Sequence, residues 1–280
     1  MKNRKKAYLS SALSVNAINS LYHFELAGRT TRGELHDFYE MVFVEKGFYF
    51  VILDGVRYTV EPGSVIFFAP NVFHSGDGVT KCDATVDIIS FDSASELMRR
   101  FDNCVFALNE AQRAELAAVF SQARAVLEKE KGGVGVRAEA DAVAVQMLKG
   151  RLELFLLGLC AAGGGKSGPV GHNEYRKQTF RRVSEYLKAH LAEHLSVVDI
   201  AAACSMSEAS LKGLCREFCG CGPIEYLISL RILAAKELIR EGNMNFTEIA
   251  ARTGFVTLHY FSRVFKSRTG LSPRRYAQMP

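Results

Sequence analysis

From about residue 21 to residue 91, apolar residues fall in short runs rich in β-branched and aromatic side chains. Residues 39–44, 48–53, 56–60, 65–68 and 86–91 each predict a strand. Turn chemistry separates them. Asp54-Gly55 tolerates the positive φ of a two-residue hairpin, and Pro62-Gly63 and Pro70-Asn71 mark further reversals. Many short strands at close spacing predict a small barrel or sandwich.

The pattern changes at Asn109. Up to Cys160 the chain is dominated by Ala, Leu, Glu, Lys, Gln and Arg, which favour helix. Helices are expected over 109–131 and 136–160, broken at Gly132-Gly133. The second ends apolar nearly all round, so it should be buried against the barrel or against a partner subunit. The stretch GGGKSGPVG, 163–171, has the composition of a flexible linker. Its GKS invites a phosphate-loop reading, but the glycine that pattern needs is Cys160, and the segment follows a helix rather than a strand. These shifts divide the chain into 1–108, 109–162, 163–172 and 173–280.

The last part contains an internal duplication. Residues 195–227 (LSVVDIAAACSMSEASLKGLCREFCGCGPIEYL) match 245–277 (NFTEIAARTGFVTLHYFSRVFKSRTGLSPRRYA). The offset is 49 at Asp199-Ile200-Ala201 and 50 at Gly220, Pro223 and Tyr226, so one extra residue sits near the start of the second copy's later helix. Ser196 with Asp199, and Asn245 with Glu248, predict capped helix N-termini. Ile200 and Ile249 are core anchors, and Ala201 and Ala250 are small where two helices cross. After a short turn a second helix begins near Ser207 and near Thr257, giving a helix–turn–helix twice over. Such a second helix can turn one face to the core and the other to a DNA major groove. Residues 224–240 between the copies predict one continuous helix of about 26 Å, near the scale of successive major grooves.

Composition sharpens this picture. Residues 173–280 carry 16 Lys and Arg against 10 Asp and Glu, whereas the rest carry 19 against 20, so all of the net +5 lies beside the duplication, where it can attract a polyanion. Seven cysteines in no disulfide-like spacing favour a reducing, cytoplasmic setting. The basic start MKNRKK is followed by residues too polar for a signal peptide. The most apolar run, 152–160, is about half a membrane span, so a soluble protein is expected.

Residues 173–280 resemble the DNA-binding domain of the AraC/XylS transcription regulators, most specifically in EIAARTGFVTLHYFSRVFKSRTGLSPRRYA and in RILAAKELI of the connecting helix. The first copy departs from the pattern: Ser205 stands where Gly is usual, Gly213 where a basic or polar residue is common, and Cys215 where Phe is common. The resemblance implies base-reading positions at Ala209, Ser210, Lys212 and Gly213 in the first unit and at Leu258, His259, Ser262 and Arg263 in the second. Arg263 leads these, because a guanidinium can bond a guanine edge through two donors. Ser207, Arg216, Thr257, Lys266, Arg274 and Arg275 are the implied phosphate contacts.

His36-Asp-Phe-Tyr-Glu40, Gly47, Pro62-Gly63 and Pro70-Asn-Val-Phe-His74 resemble the cupin-type barrel that precedes this DNA-binding domain in many family members. The implied fold class is α+β and multidomain: a cupin-like barrel with a helical dimerisation segment, then an all-α domain with two helix–turn–helix units. His36, Glu40 and His74 are residue types that bind divalent metals. Metal-binding cupins offer His-x-His, however, and Phe38 breaks that pair, so no metal or other cofactor is assigned. The three serve as polar groups of an effector pocket or as satisfied structural residues. Phe43, Tyr49, Tyr58 and Phe67 fit an apolar pocket lining or ordinary core. Cys204, Cys215, Cys219 and Cys221 fit buried thiols better than a zinc site, which uses closer pairs.

By the resemblance, the partners are double-stranded DNA, a small-molecule effector such as a sugar, a second copy of the chain and RNA polymerase, with no membrane. The expected function is a transcription activator rather than an enzyme. Two alternatives stay open: a front domain that only dimerises or binds a protein, and a metal-dependent cupin enzyme with a DNA-binding tail.

Overall fold

The computed structural model describes residues 10–27, 33–53, 56–76, 83–130, 133–167 and 174–278. The first half is built on strands β1 (Ala17–Glu25), β2 (Tyr39–Leu53), β3 (Val56–Val60), β4 (Ser64–Phe68), β5 (His74–Gly76), β6 (Asp83–Asp92) and β7 (Cys104–Ala107). All pair antiparallel, in the order β1-β6-β2-β4-β7, while β3 and β5 pair the far part of β2.

The two strands expected at 39–44 and 48–53 are therefore one strand of 15 residues. Its register shifts between Val44 and Lys46, and Gly47 takes φ 69, where a Cβ would collide with the Asp83 carbonyl. That bend swings the second part of β2 into another limb of sheet. Val42, Val44, Ile66, Phe68 and Val86 from one limb meet Tyr49, Val51, Leu53, Tyr58 and Val60 from the other in a single packed cluster, the interior of the barrel-like fold. The Asp54-Gly55 turn lies outside the described residues.

The opposite face of the sheet is covered by α1 (Glu110–Val126) and α2 (Ala142–Ala162). Met41, Phe67, Ile89 and Phe91 pack there against Leu116, Val119 and Phe120 of α1 and Leu152, Phe155 and Leu156 of α2. The apolar end of α2 thus buries itself on its own sheet. Both helices are shorter than expected. Residues 127–130, good helix formers, instead make strand β8 (Leu127–Glu130), paired with β9 (Gly133–Val136). Tertiary packing overrides propensity here, because Gly133 of this hairpin approaches the Asn19 carbonyl of edge strand β1 so closely that a Cβ would not fit. The expected linker is also shorter: β10 (Lys166–Ser167) pairs with Cys104 and Val105 of β7. Residues 168–173 lie outside the described residues.

The second half is helical: α3 (Glu174–Ala189), α4 (Val197–Ala203), α5 (Glu208–Cys219), α6 (Pro223–Glu241), α7 (Phe246–Arg252), α8 (Leu258–Thr269) and α9 (Pro273–Tyr276). It has two cores. Tyr226, Leu227 and Leu230, in the first part of α6, pack with α3, α4 and α5, whereas Ile232, Ala235 and Ile239, in its second part, pack with α7 and α8. One rod of 19 residues, about 28 Å long, serves both units.

Candidate functional site

Each helix–turn–helix unit is fixed by local chemistry. Ser196 and Asp199 form a reciprocal capping box at the start of α4, and Asn245 and Glu248 form the same box at the start of α7. Ser207 caps α5 through the Ser210 N–H, and Thr257 caps α8 through the Tyr260 N–H. Gly220 and Gly270 close α5 and α8 in the left-handed conformation. The turns match as well, with Ser205 at φ 56 and Gly254 at φ 76. The extra residue of the second copy is Val256, in the turn just before the Thr257 cap rather than inside the helix.

The apolar face of each second helix is buried: Leu211, Leu214 and Cys215 in α5, Phe261 and Phe265 in α8. The other face is open. Ala209, Ser210, Lys212, Gly213 and Arg216 are exposed, as are Leu258, His259, Arg263 and Lys266, with Ser262 half-buried. Arg274 and Arg275 on α9 and the caps Ser207 and Thr257 are also exposed. All the implied DNA positions are therefore accessible, but the two units differ. Lys212 is tied to Glu208 at 3.1 Å one turn earlier, and Gly213 has no side chain. Arg263 lies over the Tyr260 ring at 5.4 Å, which supports its guanidinium without masking its charge. Sequence reasoning missed both partners, although Glu208 stands four residues before Lys212.

The seven residues expected to line an effector pocket do not form one constellation. Strand parity separates them. Phe43 and Phe67 face the helices on the sheet's outer side, whereas Tyr49 and Tyr58 are packed in the interior cluster. His36, Glu40 and His74 do come together, buried at the end of the interior where β2 begins. Burial, then the nearby His74, pushes the His36 pKa down to about 3. Burial also opposes charge on His74, but the Glu40 carboxylate outweighs it and holds the His74 pKa above its ordinary value. On the outer side, between the sheet and α1, lies an open cleft of about 560 Å³. His23, Phe43, Glu45, Asp87, Phe120 and Arg124 line it, and Phe43 is its one residue from the expected set.

The polar end of the barrel is also where the two halves of the chain meet. Asp37, next to His36, bonds Lys236 at 3.0 Å and also Arg240, both on α6. Phe73, next to His74, is buried in the core of the first helix–turn–helix unit, edge-on to Tyr226 at 5.4 Å. Neither Asp37 nor Phe73 was singled out from sequence. Only their adjacency to the two histidines marks them.

Cys215, Cys219 and Cys221 are buried and Cys204 is half-buried in that same core. No single helix among the described residues is long and apolar enough to cross a membrane. One bent pair, Glu208–Cys219 with Pro223–Glu241, reaches that threshold together, and its apolar residues lie in the two helical cores.

Paired, capped helix–turn–helix units with open second helices, carried behind a sheet domain, define a DNA-binding transcription regulator with an effector domain. Comparison with known proteins agrees over both halves. The AraC-like ligand binding domain family matches residues 20–148, and the Helix-turn-helix domain family matches residues 200–279. The chain belongs to the AraC/XylS family of transcription regulators. It is 27% identical over 246 residues to the HTH-type transcriptional activator RhaS of Salmonella agona, covering 87% of this chain and 86% of that protein. With RhaS of Salmonella typhimurium it shares 26% over the same lengths. Among solved structures, ToxT from Vibrio cholerae is similar at 17% identity, over 95% of this chain and 98% of that one, with a TM-score of 0.41.

Proposed function

We propose that this regulator is an activator working as a cytoplasmic homodimer, with no enzymatic step, and that a small molecule of the sugar class acting on the front half changes how the helical half meets DNA. Base reading falls chiefly to Arg263 and His259 on α8, with Leu258 and Ser262 beside them. Ser210 and Lys212 contribute less from α5, and Ala209 and Gly213 set close approach. Ser207, Arg216, Thr257, Lys266, Arg274 and Arg275 hold phosphates. RNA polymerase is the further partner of an activator.

One observation supports the coupling above all. The helix that carries both reading units is bonded through Lys236 and Arg240 to Asp37, whose neighbour His36 belongs to the buried polar end of the barrel. A ligand that favours one arrangement of that end has a direct route to α6, and it shifts the equilibrium only by its differential affinity for the two arrangements. The dimer reading is supported by α2, whose outer stripe exposes Val143, Met147 and Leu154.

A second reading is favoured by the packed interior cluster to which Tyr49 and Tyr58 belong. In that version the front half dimerises or binds a protein and takes no small molecule. Selecting bound duplexes from a random pool, with thermal-shift screening of the full chain against a panel of sugars, tests both parts. The expected result is a two-part site with halves about 10 base pairs apart, and a sugar that raises the melting temperature. Recovery of no sequence preference overturns the regulator's proposed readout. A clear site with no stabilising sugar favours the second reading.

A further inference from the structure

The two reading helices begin differently. α5 opens on Glu208, whose carboxylate holds Lys212 one turn later at 3.1 Å. The equivalent first residue of α8 is Leu258, an apolar side chain left 40% exposed. Two residues earlier stands Val256, the extra residue of the second copy, which has no counterpart before α5. At 80% exposed it is the most exposed large apolar side chain among the described residues. Neither Val256 nor Leu258 belongs to the apolar core of the second unit, to which Phe255, Phe261 and Phe265 contribute from the same segment.

Packing within the fold therefore gives these two side chains no role. A scattered apolar residue on a surface is ordinary. These two, however, flank the Thr257 cap, whose hydroxyl oxygen accepts from the Tyr260 N–H at 3.1 Å, and so they are held at the N-terminal end of α8. In a helix–turn–helix bound to DNA that end carries the residues that meet base edges. His259 and Arg263 follow on the open face. A major groove offers apolar side chains one matching feature, the 5-methyl group of thymine. Every other group on the base edges there is a hydrogen-bond donor or acceptor, which valine and leucine side chains leave unpaired.

We propose that Val256 and Leu258 make the second unit a reader of thymine, packing against the 5-methyl groups of one or two thymines beside the guanine bonded by Arg263. This role rests on the proposed base reading by α8 and adds the identity of a neighbouring base. The first unit is built otherwise, because the Glu208 carboxylate at the position of Leu258 accepts from a donor and gains nothing from a methyl group.

The test uses the full chain and the duplex it selects from a random pool, with each thymine replaced in turn by deoxyuridine, which lacks only the methyl group. Burial of one such carbon changes affinity about fourfold. Wild type should lose about that factor at one or two positions, within the part of the site where Arg263→Ala relaxes base preference. Val256→Ser and Leu258→Ser should bind the thymine duplex less tightly and discriminate less between it and the deoxyuridine duplex. Val198→Ser, an equally simple change of an exposed apolar residue on α4, should keep the full discrimination. If Leu258→Ser fails to fold, Val256→Ser in its exposed turn decides, together with wild-type preference for 5-methylcytosine over cytosine at the same position. A selected site with no thymine beside that guanine, uracil tolerated at every such thymine, or full methyl discrimination in both folded variants overturns the proposal and leaves base reading by Arg263 standing. A pool that returns no sequence preference overturns both.

Discussion

Asp37 and Lys236 lie 199 residues apart in sequence and meet at 3.0 Å, with both side chains more than nine-tenths buried. A buried ammonium is tolerable only with a partner, so this pair ties the sheet half to the helix that serves both DNA-reading units. Breaking such a pair from one side costs about 3–5 kcal/mol. Asp37→Asn should destabilise the chain by that order in denaturant unfolding. Asp37→Asn combined with Lys236→Met should cost clearly less than the two single changes together. Additivity within about 0.5 kcal/mol would mean that the contact carries no coupling.

Phe73 makes the same joint apolar. It is 7% exposed and packs with Phe180, Leu214 and Tyr226 in the core of the first unit. Phe73→Ala should cost about 3–5 kcal/mol, the range for a buried phenylalanine. Hydrogen exchange should rise in α3 and the first part of α6, while the outer core around Phe67 stays protected. A change spread evenly over both halves would count against this placement.

Ser205 and Gly254 occupy equivalent turn positions at φ 56 and φ 76, yet only one is a glycine. A side chain in the left-handed region costs about 1–2 kcal/mol, and a new glycine loses about 0.4–1 kcal/mol through the unfolded chain. Ser205→Gly should therefore be neutral to slightly stabilising. Gly254→Ala should cost more than about 1 kcal/mol, because its Cβ also meets the Leu191 carbonyl. Melting curves that move in the same direction for both would contradict the shared turn geometry.

Burial pushes the Cys215 thiol up to about 12, with Cys221 and then Cys204 adding to it. At pH 8 only about one such thiol in ten thousand is ionised. Among the described cysteines, a disulfide reagent should label half-buried Cys204 and Cys160 first, and reach Cys215 only as the chain unfolds. Labelling of native Cys215 as fast as Cys204 would reopen a thiol-based role.

The helical half was legible because its signals are local. Caps three residues apart, glycines after helices and a repeated apolar stripe placed α4, α5, α7 and α8 without any long-range information. The sheet half was legible in its strands but not in its connections. Nothing near Gly47 says that β2 continues through the bend, because the cause is the Asp83 carbonyl on another strand. Residues 127–130 have helical composition, and only the edge of β1 explains why they form a hairpin. Strand parity could have separated Phe43 from Tyr49 had the bulge at Val44–Lys46 been known. Asp37 and Phe73 were invisible as joint residues, since their partners lie more than a hundred positions away.

DNA reading by α8 is the central claim, and it is tested most directly by comparing wild type with Arg263→Ala and Lys266→Ala on a selected site, its single-base variants and a salt series. Arg263→Ala should lose about 1–3 kcal/mol and relax preference at one base pair, whereas Lys266→Ala should weaken all sequences alike and lower the salt dependence by about one ion. Unchanged base preference in Arg263→Ala would contradict the assignment.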